Sequence, residues 1–147
     1  MGALTMSKAE REAFLAGVHV AVFAVADGAR GPIAVPVWYA YEPGGDILIN
    51  TGKSSPKAVL TAAAGRATLC VQSEAPPYGY VSVEGRVVLE PADYDGQLVP
   101  IARRYLGAAA EMYLAGSSKE TSEADNVLIR LTPERWRTAD FARQYQI

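Results

Sequence analysis

The sequence predicts an α+β protein whose strands close, or nearly close, into a barrel. Three observations carry that expectation: seven stretches with strand patterning, a few short helix patterns between them, and no repeat or linker to divide 147 residues. Many modest strands with little helix favour a barrel, because curling the sheet removes exposed edges. Residues 1–147 are accordingly expected to form a single domain, since a chain of this length supports one substantial core.

Taken in order, Ser7-Lys8-Ala9-Glu10 has the spacing of a capping box, with Ala13, Phe14 and Val18 following at helical intervals. This predicts a short helix over 7–17, closed by Gly17. HVAVFAVA (19–26) reads as a strand ending in the Asp27-Gly28 turn, and IAVPVWYAY (33–41) as a second. Pro36 has no N–H to give a ladder, so this second strand is expected at an edge, at a bulge, or open on one side. After Pro43-Gly44-Gly45-Asp46, a third strand begins at Ile47 and runs to Asn50. A helix over 55–64 is stopped by Gly65.

ATLCVQS (67–73) and YVSVEGRVVLE (80–90) are the fourth and fifth strands, separated by the rigid loop Ala75-Pro76-Pro77-Tyr78-Gly79. Gly85 inside the fifth predicts a bulge or bend. Residues 92–116 read as helix in pieces, broken near Pro100 and at Gly107, and 117–125 as a polar loop. Strands over 126–131 and 135–141 complete the chain around Thr132-Pro133.

Composition narrows the function. Half the residues are hydrophobic and a fifth charged, as in globular proteins, and the formal charge is −2. That balance provides no basic surface for nucleic acid or anionic membrane, so neither is expected as a partner. No apolar run reaches the length of a bilayer span, and the first residues carry charges where a signal peptide would be apolar. With one cysteine, Cys70, no internal disulfide can form; a reducing cytoplasm is the expected location.

Most familiar catalytic arrangements are absent. The single histidine, His19, has no recognisable nucleophile and acid to complete a triad, and a partly buried strand position is expected for it. Cys70 lies in the apolar run ATLCV and reads as an inert buried thiol. One His and one Cys cannot make a common zinc site. Neither a GxGxxG nor a Walker loop is present, and Arg103-Arg104 reads as a solvated helix face.

The exception is NTGKSSPKAVL (50–60). Only four residues of the chain are lysine, and two, Lys53 and Lys57, fall here, around a helix start with Ser55 as N-cap and Pro56 in the first turn. A helix N-terminus already carries partial positive charge, so Lys57 opposes the macrodipole by about 0.3–1 kcal/mol. A bound phosphate would make both favourable, using the Ser54 and Ser55 hydroxyls, Lys53, Lys57 and helix N–H groups. A solvated loop with outward-pointing lysines fits the pattern as well. Two aromatic clusters, Trp38-Tyr39-Tyr41 and Tyr78-Tyr80, suit a planar ring, barrel core or a dimer contact equally.

The run PIAVPVWYAYEPGGDILINTGKSSPKAVLTAAAGRATLCVQSEAPPYGYVSVEGRVVLE resembles the flavin- and deazaflavin-dependent oxidoreductase superfamily, the pyridoxamine-5′-phosphate-oxidase-like split β-barrels. The resemblance covers roughly residues 10–141 and rests on the order of short motifs: the Ser55-x-Lys57 helix start, the small-residue helix after it, and Tyr80-x-x-x-Glu84-Gly85. It implies an α+β split β-barrel, a homodimer, and cofactor sites shared between subunits. It assigns the cofactor phosphate to Lys57 with Ser55 and Thr51, and the ring to the backbone of Val35, Pro36 and Val37 and to Asn50. Tyr78 and Tyr80 correspond to a segment given to the site by the second subunit.

Two departures bear on the cofactor. Relatives that oxidise pyridoxamine phosphate carry basic residues on the second strand and an arginine beside Lys57; here that strand is uncharged and the neighbour is Pro56. The resemblance therefore points to the branch that binds coenzyme F420, with FMN as the alternative and Lys53 or Arg30 as contacts for the F420 tail. Gly79 stands where relatives often have a basic residue. The implied activity is hydride transfer from reduced F420 to an unsaturated small molecule. FMN-dependent oxidoreduction and a non-catalytic cofactor-binding dimer are the alternatives.

Overall fold

The computed structural model describes residues 2–145. Its elements are α1 (Lys8–Ala16), β1 (Ala21–Asp27), β2 (Arg30–Val37), β3 (Ile47–Gly52), α2 (Pro56–Ala64), β4 (Arg66–Gln72) and β5 (Gly79–Pro91). A π-helical turn (Tyr94–Leu98) then leads through α3 (Val99–Leu106), a 3₁₀ turn and α4 (Ala110–Leu114) to α5 (Lys119–Asp125). Strands β6 (Asn126–Leu131) and β7 (Arg135–Asp140) follow, and a 3₁₀ turn over Phe141–Tyr145 comes last.

All strand pairings are antiparallel, in the order β2-β1-β4-β5-β6-β3, with β7 also on β5. β2 and β3, the two ends of this sheet, do not pair among the described residues; beyond β2, Ala40 makes an isolated bridge to Leu48 in β3, exchanging both backbone hydrogen bonds at 2.9 and 3.0 Å. The barrel is thus split, and β2 is an end strand, one of the placements Pro36 left open.

Period-two alternation fills the interior. Phe23, Val25, Ile47, Ile49, Leu69, Val71, Val81, Val83, Ile129 and Leu131 are buried from successive strands. Burying each such side chain contributes roughly 1.5–3 kcal/mol before the entropy cost of ordering the chain. Helix α1 closes one end. Its Ser7–Glu10 capping box is complete, with Ser7 N donating to Glu10 Oε1 at 2.9 Å and Glu10 N to Ser7 Oγ at 3.1 Å.

Several elements differ from the sequence reading. β2 stops at Val37, because the next residues leave β1 and cross toward β3; Tyr39 turns fully inside and its hydroxyl donates to Leu15 O at 2.6 Å. The stretch 117–125 holds a helix, α5, capped by Ser118 Oγ, which accepts from Thr121 N at 3.1 Å. Its composition hid it, since Ser122 is its one buried residue. β4 pairs with β5 without interruption through Ala67↔Gly85, so Gly85 is not a bulge. It marks where β5 passes from β7 to β6, and a Cβ there would lie 1.7 Å from Thr132 O. His19 precedes β1, stacked on Phe14 at 4.9 Å. Cys70 is only half-buried, on the outer side of β4; burial still raises its thiol pKa.

Candidate functional site

β3 sends Ile47, Ile49 and Thr51 inward, and the chain then turns through Lys53 and Ser54 into α2. Ser55, with extended backbone, caps this helix: its Oγ accepts from Ala58 N at 3.2 Å. Pro56 occupies the first turn, where its missing N–H costs nothing. Lys57 then folds back over β3, and its Nζ donates to Thr51 Oγ1 at 2.5 Å. Thr51 Oγ1 and Ser55 Oγ lie 3.3 Å apart, so the three side chains form one polar cluster.

The electrostatics are unbalanced. Among the described residues, no salt bridge engages Lys57. Its ammonium is half-buried at the positive end of α2, and burial lowers its pKa from the usual lysine value. The chain holds a cation partly out of water with one neutral hydroxyl as partner.

The other expected residues are distributed around this cluster. Asn50 lies on the opposite face of β3 from Thr51; its Nδ2 donates to Asn126 Oδ1 at 3.3 Å, and its Oδ1 is buried with no protein partner. Val37 is buried and Val35 half-buried against the core, while Pro36 faces out on β2. Lys53 is exposed, and its backbone N–H is tied to Asp125 O at 2.9 Å. Arg30, at the start of β2, lies in a different depression beside Arg66, Thr68 and Glu84. Tyr78 lines an apolar groove with Pro77, Phe141 and Tyr145, and Tyr80 packs on Phe141 at 6.4 Å. Neither tyrosine hydrogen-bonds to the Lys57 cluster or lines a cavity with it.

The sequence reading missed an aromatic column. Trp38 stacks on Tyr105 at 5.2 Å and 7°, and Tyr113 leans on Trp38 from the other helix at 5.8 Å. Tyr105 Oη donates to His19 O at 2.7 Å, and burial raises its pKa. Spacing on α3 and α4 carried no hint of this, because the partners are far apart in sequence. Arg104 is likewise no solvated residue: its guanidinium donates to Ala16 O and Gly17 O at 3.0 and 2.7 Å, tying α3 to the end of α1.

The chain belongs to the pyridoxamine 5′-phosphate oxidase family, whose sequence pattern matches residues 7–140. No curated protein matches it. Among solved structures it is similar to the conserved hypothetical protein Rv2991 of Mycobacterium tuberculosis, with a TM-score of 0.77 and 20% identity over 100% of this chain and 92% of that one. It is also similar to a protein described as an F420 reductase, with a TM-score of 0.63 and 20% identity over 86% of this chain and 94% of that one. An FAD-binding protein of Mesorhizobium loti gives 0.62 and 21% over 90% and 92%. At these identities the likeness shows the fold.

Proposed function

We propose that the protein is an F420-dependent reductase, passing a hydride from the reduced deazaflavin to an unsaturated small molecule. The observation that carries this reading is Lys57: half-buried, unpaired with any carboxylate among the described residues, and set at the start of α2. The donor set fits a phosphate-bearing group. Lys57 Nζ supplies the charge, the exposed Ser54 hydroxyl adds a donor, and Thr51 and Ser55 fix the ammonium's position. The uncharged stretch 33–41 and Pro56 favour the deazaflavin over FMN, and the similar F420 reductase supports the same choice.

When bound, F420 supplies two electrons and a proton as hydride. The chain's part is to position and to exclude water. Val35, Pro36 and Val37 offer an uncharged strand edge for the ring, and holding reactants in register can supply most of what hydride transfer needs. That economy suits a chain in which no acid–base pair stands out. Lys53, exposed two residues before the Ser55 cap, serves the anionic tail in this reading, whereas Arg30 lies in a separate depression.

The functional unit in this reading is a cytoplasmic homodimer. Pro36, Val22 and Cys70 form the apolar part of one register row on the outer face of the sheet, which continues through Ser82 to Arg137, and Val20, 60% exposed, continues the parity of Val22, 44% exposed. An apolar sheet face of this kind is stabilised by a partner, and a second copy would also bring Tyr78 and Tyr80 to the site. Fluorescence titration with F420 and, separately, FMN tests the cofactor. Micromolar or tighter F420 binding that Lys57→Ala abolishes supports it; binding of FMN alone makes the protein a flavoprotein.

A further inference from the structure

Five of the chain's ten arginines gather on one part of the sheet. Arg30 opens β2, Arg66 opens β4 opposite Arg86 in β5, and Arg135 and Arg137 lie on β7 opposite Glu84 and Ser82. The carboxylates beside them are fewer, and two are already engaged. Glu134 Oε1 lies 3.0 Å from Arg66 Nη1, and Glu84 Oε1 accepts from Arg137 Nη1 at 3.2 Å. Among the described residues, no salt bridge engages Arg30 or Arg135. A chain of net charge −2 thus carries a local surplus of positive charge.

This surplus borders a depression of about 340 Å³, lined in part by Arg30, Arg66, Thr68 and Glu84. β2 and β4 flank β1, so the two arginines start from strands about 10 Å apart, a gap their side chains can close on one small anion. Ala24, Ala26, Pro32 and Ala67 give the depression an apolar lining, and the half-buried Thr68 adds a hydroxyl. The Val22–Cys70 pair, assigned above to the second-copy face, is the next register row, so the depression opens at the border of that face.

The lining narrows the ligand. Guanidinium forks match a carboxylate, and an apolar body suits the alanines and Pro32. Glu84, in the same lining, repels a more highly charged anion. We infer that Arg30 and Arg66 form a second binding site, for a small monocarboxylic acid with an apolar body. The site is separate from the Lys57 corner and does not depend on the reductase reading, since none of the Lys57 cluster lines it.

The test titrates 2-naphthoate, and 2-naphthamide as its neutral counterpart, into the full-length protein by calorimetry. Naphthoate is expected to bind about tenfold more tightly, as charge-assisted hydrogen bonds to one carboxylate provide. Arg30→Gln, at an exposed and unpaired position, should erase the preference while the melting temperature holds. Arg103→Gln, an exposed arginine on α3, should leave it intact. Ala26→Leu, which fills the exposed end of the lining, should weaken both compounds alike, as loose ionic attraction to the surface would not.

Equal binding of the two compounds, no binding of either, or a preference that survives Arg30→Gln overturns the inference. Repeating the titration at saturating F420 separates this site from the cofactor's. Undiminished naphthoate binding supports a second site; displacement overturns it by assigning the arginines to the cofactor's own carboxylates. Should F420 not bind at all, the reductase reading fails, and the naphthoate preference still stands or falls by Arg30→Gln.

Discussion

Lys57 Nζ reaches back across the start of α2 to donate to Thr51 Oγ1 at 2.5 Å. The contact joins the last inward residue before β3 ends to the first turn of the next helix, and it fixes where the ammonium sits. Substituting Thr51→Val keeps the shape and removes the acceptor. Affinity for the cofactor should fall about tenfold, because the cation is no longer held in place, with a stability loss of about 1 kcal/mol in urea.

Lys57→Met should separate stability from function. Burial already lowers the lysine's pKa, so the folded state works against its charge. The variant is therefore expected to match or exceed the wild-type melting temperature while losing cofactor binding. A fall in melting temperature of several degrees would show that the ammonium contributes to folding instead.

The same shift sets a pH dependence. An anion favours the charged lysine, so affinity should be full below the pKa of Lys57 in the free protein. It should then fall as pH rises through that lowered value, by up to tenfold per unit. Titrations from neutral to alkaline pH, with Lys57→Arg as a control that stays charged, check the sign.

Glu10 predicts an acid-side effect. Arg143 foremost, then the Ser7 backbone and hydroxyl, lower its pKa to about 2. A carboxylate with a depressed folded pKa adds stability above its unfolded value of about 4.5, and this is lost as pH falls toward 2. Glu10→Gln should flatten the melting temperature across that interval. High salt should mimic it in part, since the pair is exposed.

Gly85→Ala should be the most damaging single methyl group. Its Cβ would meet the Thr132 carbonyl oxygen at 1.7 Å, and both groups are backbone-fixed where β5 changes partners. A loss of about 3 kcal/mol, or failure to fold, is expected from such overpacking. Normal stability would mean that the β6–β7 turn is able to move.

Val22→Glu tests the second copy. Sedimentation should show a dimer for the wild-type chain and a monomer for the variant, because a buried carboxylate on the apolar row carries no partner. A wild-type monomer would remove the shared site from the account.

Local chemistry made much of this legible in the sequence. Strand alternation, the Ser7–Glu10 capping box, the Ser55-Pro56 helix start and the end-strand position of Pro36 all follow from residues a few places apart. What escaped was long-range or uncharacteristic. The Trp38–Tyr105 stack joins residues distant in sequence, and Arg104 looks like any surface cation until Ala16 O and Gly17 O are placed beside it. α5 had its N-cap signal in Ser118, outweighed by a polar composition. For the site, NTGKSSPKAVL left a phosphate corner and a solvated loop equally open, and Lys57, Thr51 and Ser55 do converge. The turn of Asn50 away from them, onto Trp38 and Tyr113, follows from strand parity and was open to be read.

The central claim is that the Lys57 ammonium exists to hold the anionic part of a redox cofactor. Fluorescence titration of the purified wild-type protein and Lys57→Met with F420, and with FMN in parallel, measures this most directly. Micromolar or tighter F420 binding to the wild type, at least tenfold weaker in the variant, is expected. Equal F420 affinity in both proteins, or no binding of either cofactor to the wild type, would contradict it.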